Sequence, residues 1–168
     1  MDILNAYWRM DYVTAPKREG APRQNPFVAL AEGGDDREAL ILHRAEAHYV
    51  VLNRYPYNPG HCLVLPYREV ARLDQLERTE RAELMELLVQ TQAALEAAMH
   101  PDGFNVGLNL GKTAGAGIPQ HLHLHVVPRW DGDCNFMPVI GETRSLPQAL
   151  EQTWEVLQPH FGSIPRRP

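Results

Sequence analysis

The chain has 168 residues, 44% of them hydrophobic, which suits one globular domain with one core and gives no reason to expect a second. Its formal net charge of -5 offers nucleic-acid backbone no general attraction, and Cys62 and Cys134 form no CxxC pair, which speaks against a disulfide framework or a cysteine-based zinc site. There is no basic N-terminal segment followed by an apolar run and no span of eighteen apolar residues, so the expectation is a soluble cytoplasmic protein with no nucleic-acid or membrane partner.

In chain order, residues 1–26 read as an N-terminal arm and loop: an aromatic cluster of Tyr7, Trp8 and Tyr12, then the patternless stretch Ala15 to Pro22. Residues 27–168 read as the single domain. Leu40–His43 and Tyr49–Asn53 predict two strands around a short turn near Glu46 and Ala47. The turn formers of Tyr55 to Gly60 follow, and Cys62–Leu65 resumes a strand until Pro66. From about Asp74 to Met99 the period becomes helical, with Leu84, Leu87, Leu88, Thr91, Leu95 and Ala98 on one broad apolar stripe. Phe104–Asn109 predicts another strand, and a glycine-rich segment then leads into His121–Val127. Ser145 as cap, Pro147 in the first turn and Gln148 three positions on predict a closing helix, with Leu150, Trp154 and Leu157 on its apolar face. The sum is an α+β domain with a mostly antiparallel sheet, one long helix and one C-terminal helix.

Two segments carry chemistry. His121-Leu122-His123-Leu124-His125 alternates imidazole with leucine, so a strand would set the three rings on one face and the apolar side chains on the other. Adjacent polar rings on a packed face need partners: one another, backbone, ligand or metal. Before them, Gly107, Gly111, Gly115 and Gly117 let the backbone turn tightly, and amides there can cradle phosphate oxygens. Gly111-Lys112-Thr113 is not a P-loop, because the glycine required five residues earlier is Val106. Three roles stay open for the histidines at this point: a zinc site with His61 as fourth ligand, nucleophilic attack on phosphorus, and general acid–base chemistry.

His121-Leu122-His123-Leu124-His125-Val126-Val127, together with Asn53 to Pro66 upstream, resembles the histidine triad family of nucleotide hydrolases and transferases; the likeness runs from about Leu40 to Arg129. The resemblance implies a histidine triad-like fold and a homodimer in which long helices and central strands meet across the two-fold axis. It implies that His123 attacks an α-phosphorus and carries a nucleotidyl group, that His121 and His61 orient it, and that His125 bonds the ribose or phosphate side. It further implies that Asn53 contacts ribose, that Asn109 lies near the α-phosphate, and that Gly115, Gly117, Ile118 and Arg129 contribute to substrate binding.

The chain departs from the family pattern in two places. Gly117 and Ile118 stand where many members carry glutamine followed by serine or threonine, and Asn25-Pro26-Phe27-Val28 stands near the cysteine pair of a zinc-containing branch. No cofactor is required on this reading, zinc is not expected, and inorganic phosphate is a candidate co-substrate. Trp8–Tyr12 and Val127–Val139 are similar to a branch that phosphorolyses diadenosine tetraphosphate, where Arg129 would bind a distal phosphate or else pair with Asp131 or Asp133. The substrate implied is a dinucleoside polyphosphate, cleaved through a nucleotidyl-histidine. Hydrolysis of adenosine phosphoramidates or other adenylated small molecules, and a non-catalytic nucleotide sensor, are the alternatives.

Overall fold

Five strands make one antiparallel sheet in the order β1-β2-β3-β5-β4 in the computed structural model, which describes residues 25–133 and 149–162. They are β1 (Ile41–Arg44), β2 (His48–Leu52), β3 (Cys62–Pro66), β4 (Gly103–Leu108) and β5 (Leu124–Arg129). The two central strands β2 and β3 are buried along their whole length, which is why they are near-continuous apolar runs rather than alternating ones. β4 is half to fully exposed and forms one edge of the sheet.

Among the described residues four α-helices accompany the sheet: α1 (Pro26–Glu32), α2 (Asp36–Ala39), α3 (Arg78–Met99) and α4 (Leu150–Leu157). α3 is the expected long helix; it buries Leu84, Leu87, Leu88, Thr91, Ala94 and Leu95 and ends on His100 in the left-handed conformation. Its Glu83 reaches back to the β1–β2 turn, accepting from the amides of Glu46 and Ala47 at 2.9 and 3.0 Å and meeting His48 Nδ1 at 2.6 Å. One apolar core joins sheet, α3 and the C-terminal residues Leu157 and Phe161.

Two expectations shift. α1 and α2 fall in a stretch that carried no predicted element, although Asn25 followed by Pro26 is a helix-start pair: the Asn25 side chain accepts from the Phe27 amide and proline takes the first helical position. α4 starts at Leu150 after an extended Ala149; the expected helix start at Ser145–Gln148 lies outside the described residues, as do Tyr7, Trp8 and Tyr12. Finally, β5 begins at Leu124, three residues later than the histidine pattern suggests. Antiparallel register sets Cys62 against Val126 and Val64 against Leu124, so the next turn of the ladder would need Pro66 as a donor. Proline has no N–H, and the chain peels away there. His121 and His123 therefore sit just before the strand, held by other means.

Candidate active site

The loop before β3 and the approach to β5 bring four imidazoles together. Gly60 makes this approach feasible: it adopts φ +75°, and a Cβ there would lie 2.8 Å from Met99 Sδ and 3.0 Å from Leu95 Cδ2. His61 follows, fully buried. Its Nδ1 accepts the Tyr57 amide hydrogen at 3.0 Å, so in the neutral ring the proton is on Nε2, which donates to His125 Nδ1 at 2.9 Å. That leaves the proton of neutral His125 on Nε2. One main-chain amide thus sets the tautomers of two rings in series. Tyr57 also stacks on His61 with centroids 4.8 Å apart.

His123 has the opposite polarity. Its Nδ1–H donates to the main-chain carbonyl of His121 at 2.8 Å, which leaves Nε2 as the nitrogen bearing the lone pair. The His123 and His125 rings meet edge to face with centroids 5.0 Å apart. The site therefore juxtaposes a lone-pair nitrogen with an N–H donor. Burial pushes the His123 imidazole below its ordinary value, the carbonyl bond only partly offsetting it; His121 is lowered for the same reason, against the opposing pull of the Pro66 carbonyl and Glu69. Burial thus favours the neutral form of both rings.

A cavity of about 240 Å³ opens beside these rings. Phe27, Leu30, Val51, Leu52 and Leu63 make an apolar end, and Asn53, Asn109, Gly115, Gly117, Ile118, His123 and His125 are in its lining. All but one of the expected substrate-binding residues thus converge on one space, with His61 and His121 directly behind it. The exception is Arg129. It lines a second groove, of about 510 Å³, that shares Tyr57, Asn109 and His125 with the first. There its guanidinium is gripped by both carboxylate oxygens of Asp133 at 2.6 Å and bonds Asn105 Oδ1 at 2.5 Å. The fork is occupied by a side-chain partner, the second of the two roles expected for it. Trp130 is half-buried, and Phe136 lies outside the described residues.

The glycine loop contributes differently from expectation. The amides of Ala114, Gly115 and Ala116 are bonded to carbonyls of Gly111 and Lys112, so they close the loop on itself. Gly115, at φ +88°, shapes the wall while its N–H serves the turn.

Sequence reasoning did not find Asn25. Its Oδ1 accepts from Phe27 N, which fixes the amide orientation, so Nδ2 faces both His121 Nδ1 at 2.8 Å and Glu69 Oε2 at 2.5 Å. Zinc needs lone pairs, and the atom between Glu69 and His121 is an amide nitrogen that offers hydrogens. These residues do not fit a zinc ion here.

Comparison with known proteins gives a match to the HIT domain over residues 36–132. An AP-4-A phosphorylase of Mycobacterium tuberculosis is 41% identical over 98% of this chain and 88% of its own. A bis(5'-nucleosyl)-tetraphosphatase (asymmetrical) of Schizosaccharomyces pombe is 32% identical over 67% of this chain and 58% of its own. Among solved structures, a zinc-bound histidine triad family protein of Mycobacterium smegmatis superposes with a TM-score of 0.64 over 82% of this chain and 92% of its own, at 22% identity, a likeness of fold.

Proposed function

The chain belongs to the histidine triad family, and from that premise and the geometry of His123 we propose that it cleaves dinucleoside polyphosphates such as diadenosine tetraphosphate by phosphorolysis. The observation that carries the reading is the commitment of His123 Nδ1–H to the His121 carbonyl, in a ring that lines the cavity. His123 Nε2 attacks the α-phosphorus, the bond to the bridging oxygen breaks, and ATP leaves as adenylyl-His123 forms. An oxygen of inorganic phosphate then attacks the same phosphorus, the P–N bond breaks, and ADP departs. The Nε2–H of His125 faces the charge that develops on oxygen, where a fixed donor favours the transition state over the ground state. The apolar end of the cavity suits a purine, and Asn53 and Asn109 suit ribose and α-phosphate.

The experiment is product analysis with diadenosine tetraphosphate, with and without inorganic phosphate. ADP and ATP formed only with phosphate support phosphorolysis; AMP formed regardless of phosphate makes the protein a hydrolase, the activity that the name of the fission-yeast relative states. Binding of AMP without turnover of any nucleotide would leave a sensor.

A homodimer belongs to the same reading. Among the described residues β4 is an edge strand of the sheet, it carries no charge, and Val106 on it is exposed. Met85 and Val89, one turn apart on α3, are 56% and 57% exposed. An edge strand and an apolar helical pair left open are what a second copy would cover.

A further inference from the structure

Because β5 starts only at Leu124, no strand pairing holds His121 and His123, yet the carbonyl between them aligns the reacting ring. What holds the segment is a set of side-chain and loop bonds. The His121 amide donates to Ile118 O at 3.2 Å, Leu122 N donates to Val70 O at 2.6 Å, and the His121 ring is gripped on both nitrogens. Asn25, 6% exposed, supplies one of those two grips.

We propose that Asn25, backed by Glu69, is a positioning residue for the reaction: it locks the His121 ring in one tautomer and so holds the main-chain carbonyl that aligns His123. The inference rests on the nucleophile assigned to His123 above. Phe27 N–H orients the Asn25 amide, Glu69 accepts one hydrogen of Nδ2, and the other points at His121 Nδ1, which must therefore accept. His121 Nε2 then carries the proton and donates to Pro66 O at 2.8 Å. The other tautomer would set N–H against N–H at Asn25 and a lone pair against a carbonyl at Pro66, two buried mismatches at once. Phe27, next to the cap, packs at 5.4 Å on both His121 and His123, so the wall of the cavity and the clasp are one unit.

Asn25 also caps α1, and the test must separate the two tasks. Asp and Ser both cap helices, so Asn25→Asp and Asn25→Ser keep the acceptor for Phe27 N; the first presents a carboxylate to His121 and the second withdraws the donor. The readouts are nitrogen NMR of the His121 ring in the full-length protein, steady-state kinetics, and thermal midpoint. We expect wild-type His121 to be protonated on Nε2 alone, and Asn25→Asp to add a proton at Nδ1. Asn25→Ser should lower kcat by roughly 10- to 100-fold while KM changes far less, the scale that misplacement of a reacting group carries. Protonation of His121 on Nδ1 in the wild type would overturn the proposal. So would an Asn25→Ser protein with wild-type kcat, or one whose loss of rate merely follows its loss of folded protein. Absence of adenylyl-His123 from a turning-over wild-type enzyme would instead overturn the nucleophile, while the His121 tautomer is still read directly by NMR.

Discussion

His61 donates its Nε2–H to His125 Nδ1 across 2.9 Å, joining the turn before β3 to the start of β5 and fixing which nitrogen of His125 carries the proton. Replacing His61 with Ala removes that donor and releases His125 to the other tautomer. kcat should fall by roughly 10- to 100-fold, with KM far less affected, because the loss is of orientation rather than of cavity wall. Steady-state kinetics on the dinucleotide check it; an equal loss in KM alone would assign His61 to binding.

His123→Gly deletes the proposed nucleophile and leaves the rest of the cavity lining intact. Turnover should drop by at least about a thousandfold, in keeping with removal of a covalent nucleophile, while nucleotide binding stays measurable by calorimetry. Mass spectrometry of quenched wild-type enzyme should show one added AMP on His123, absent from the variant.

The acid limb of kcat/KM should lie below the ordinary imidazole value of about 6.5. Burial lowers His123, and neutral imidazole is the reactive form, so activity rises with pH through that depressed value and His123 contributes no further change above it. Stability has the same sign: the unfolded chain binds protons to the His121 and His123 rings first as pH falls. Their contribution is complete above the unfolded value and is lost as pH drops through the folded ones. Urea titrations between neutral and mildly acid pH measure this; an acid limb above the ordinary value would contradict the burial argument.

Gly60→Ala places a methyl group 2.8 Å from Met99 Sδ and 3.0 Å from Leu95 Cδ2, on a backbone at φ +75°. A destabilisation of roughly 1–3 kcal/mol follows from the left-handed conformation, and the strain falls on the turn that delivers His61. Chemical denaturation gives the first effect, and a lowered kcat in the folded protein gives the second.

Met85→Glu with Val89→Glu puts charge on the exposed apolar pair of α3 without touching the core. If this face meets a second copy, the double variant should run as a monomer in light scattering at concentrations where the wild type is dimeric. An unchanged mass would move the interface elsewhere.

Much of the fold could be read from residue pattern because the pattern is dictated by burial. β2 beyond His48 and the whole of β3 are apolar runs, as strands covered on both faces must be, and the stripe from Leu84 to Leu95 has the period of a helix lying on a sheet. The cavity lining was also largely legible, since Asn53 opens one recognisable block, His123 and His125 belong to the other, and Asn109 and the glycine loop lead into the second. α1 went unread although Asn25-Pro26 marks its start, because a short helix with no fully buried residue leaves no apolar period to detect.

The alternation of His121, His123 and His125 by itself determined that three imidazoles would gather beside an apolar face, and with Asn53 to Pro66 it determined the family. Which ring nitrogen carries the proton and which the lone pair was decided elsewhere: by the Tyr57 amide acting through His61, by the His121 carbonyl, and by Asn25 from the far side of the site. A tautomer depends on the donor or acceptor that happens to lie within three ångströms, and here two of those partners, His61 and Asn25, are 64 and 96 residues away in the chain from the rings of His125 and His121 that they govern. For the same reason Arg129 could be read as a phosphate ligand from its charge, while only the folded chain showed its fork already held by Asp133.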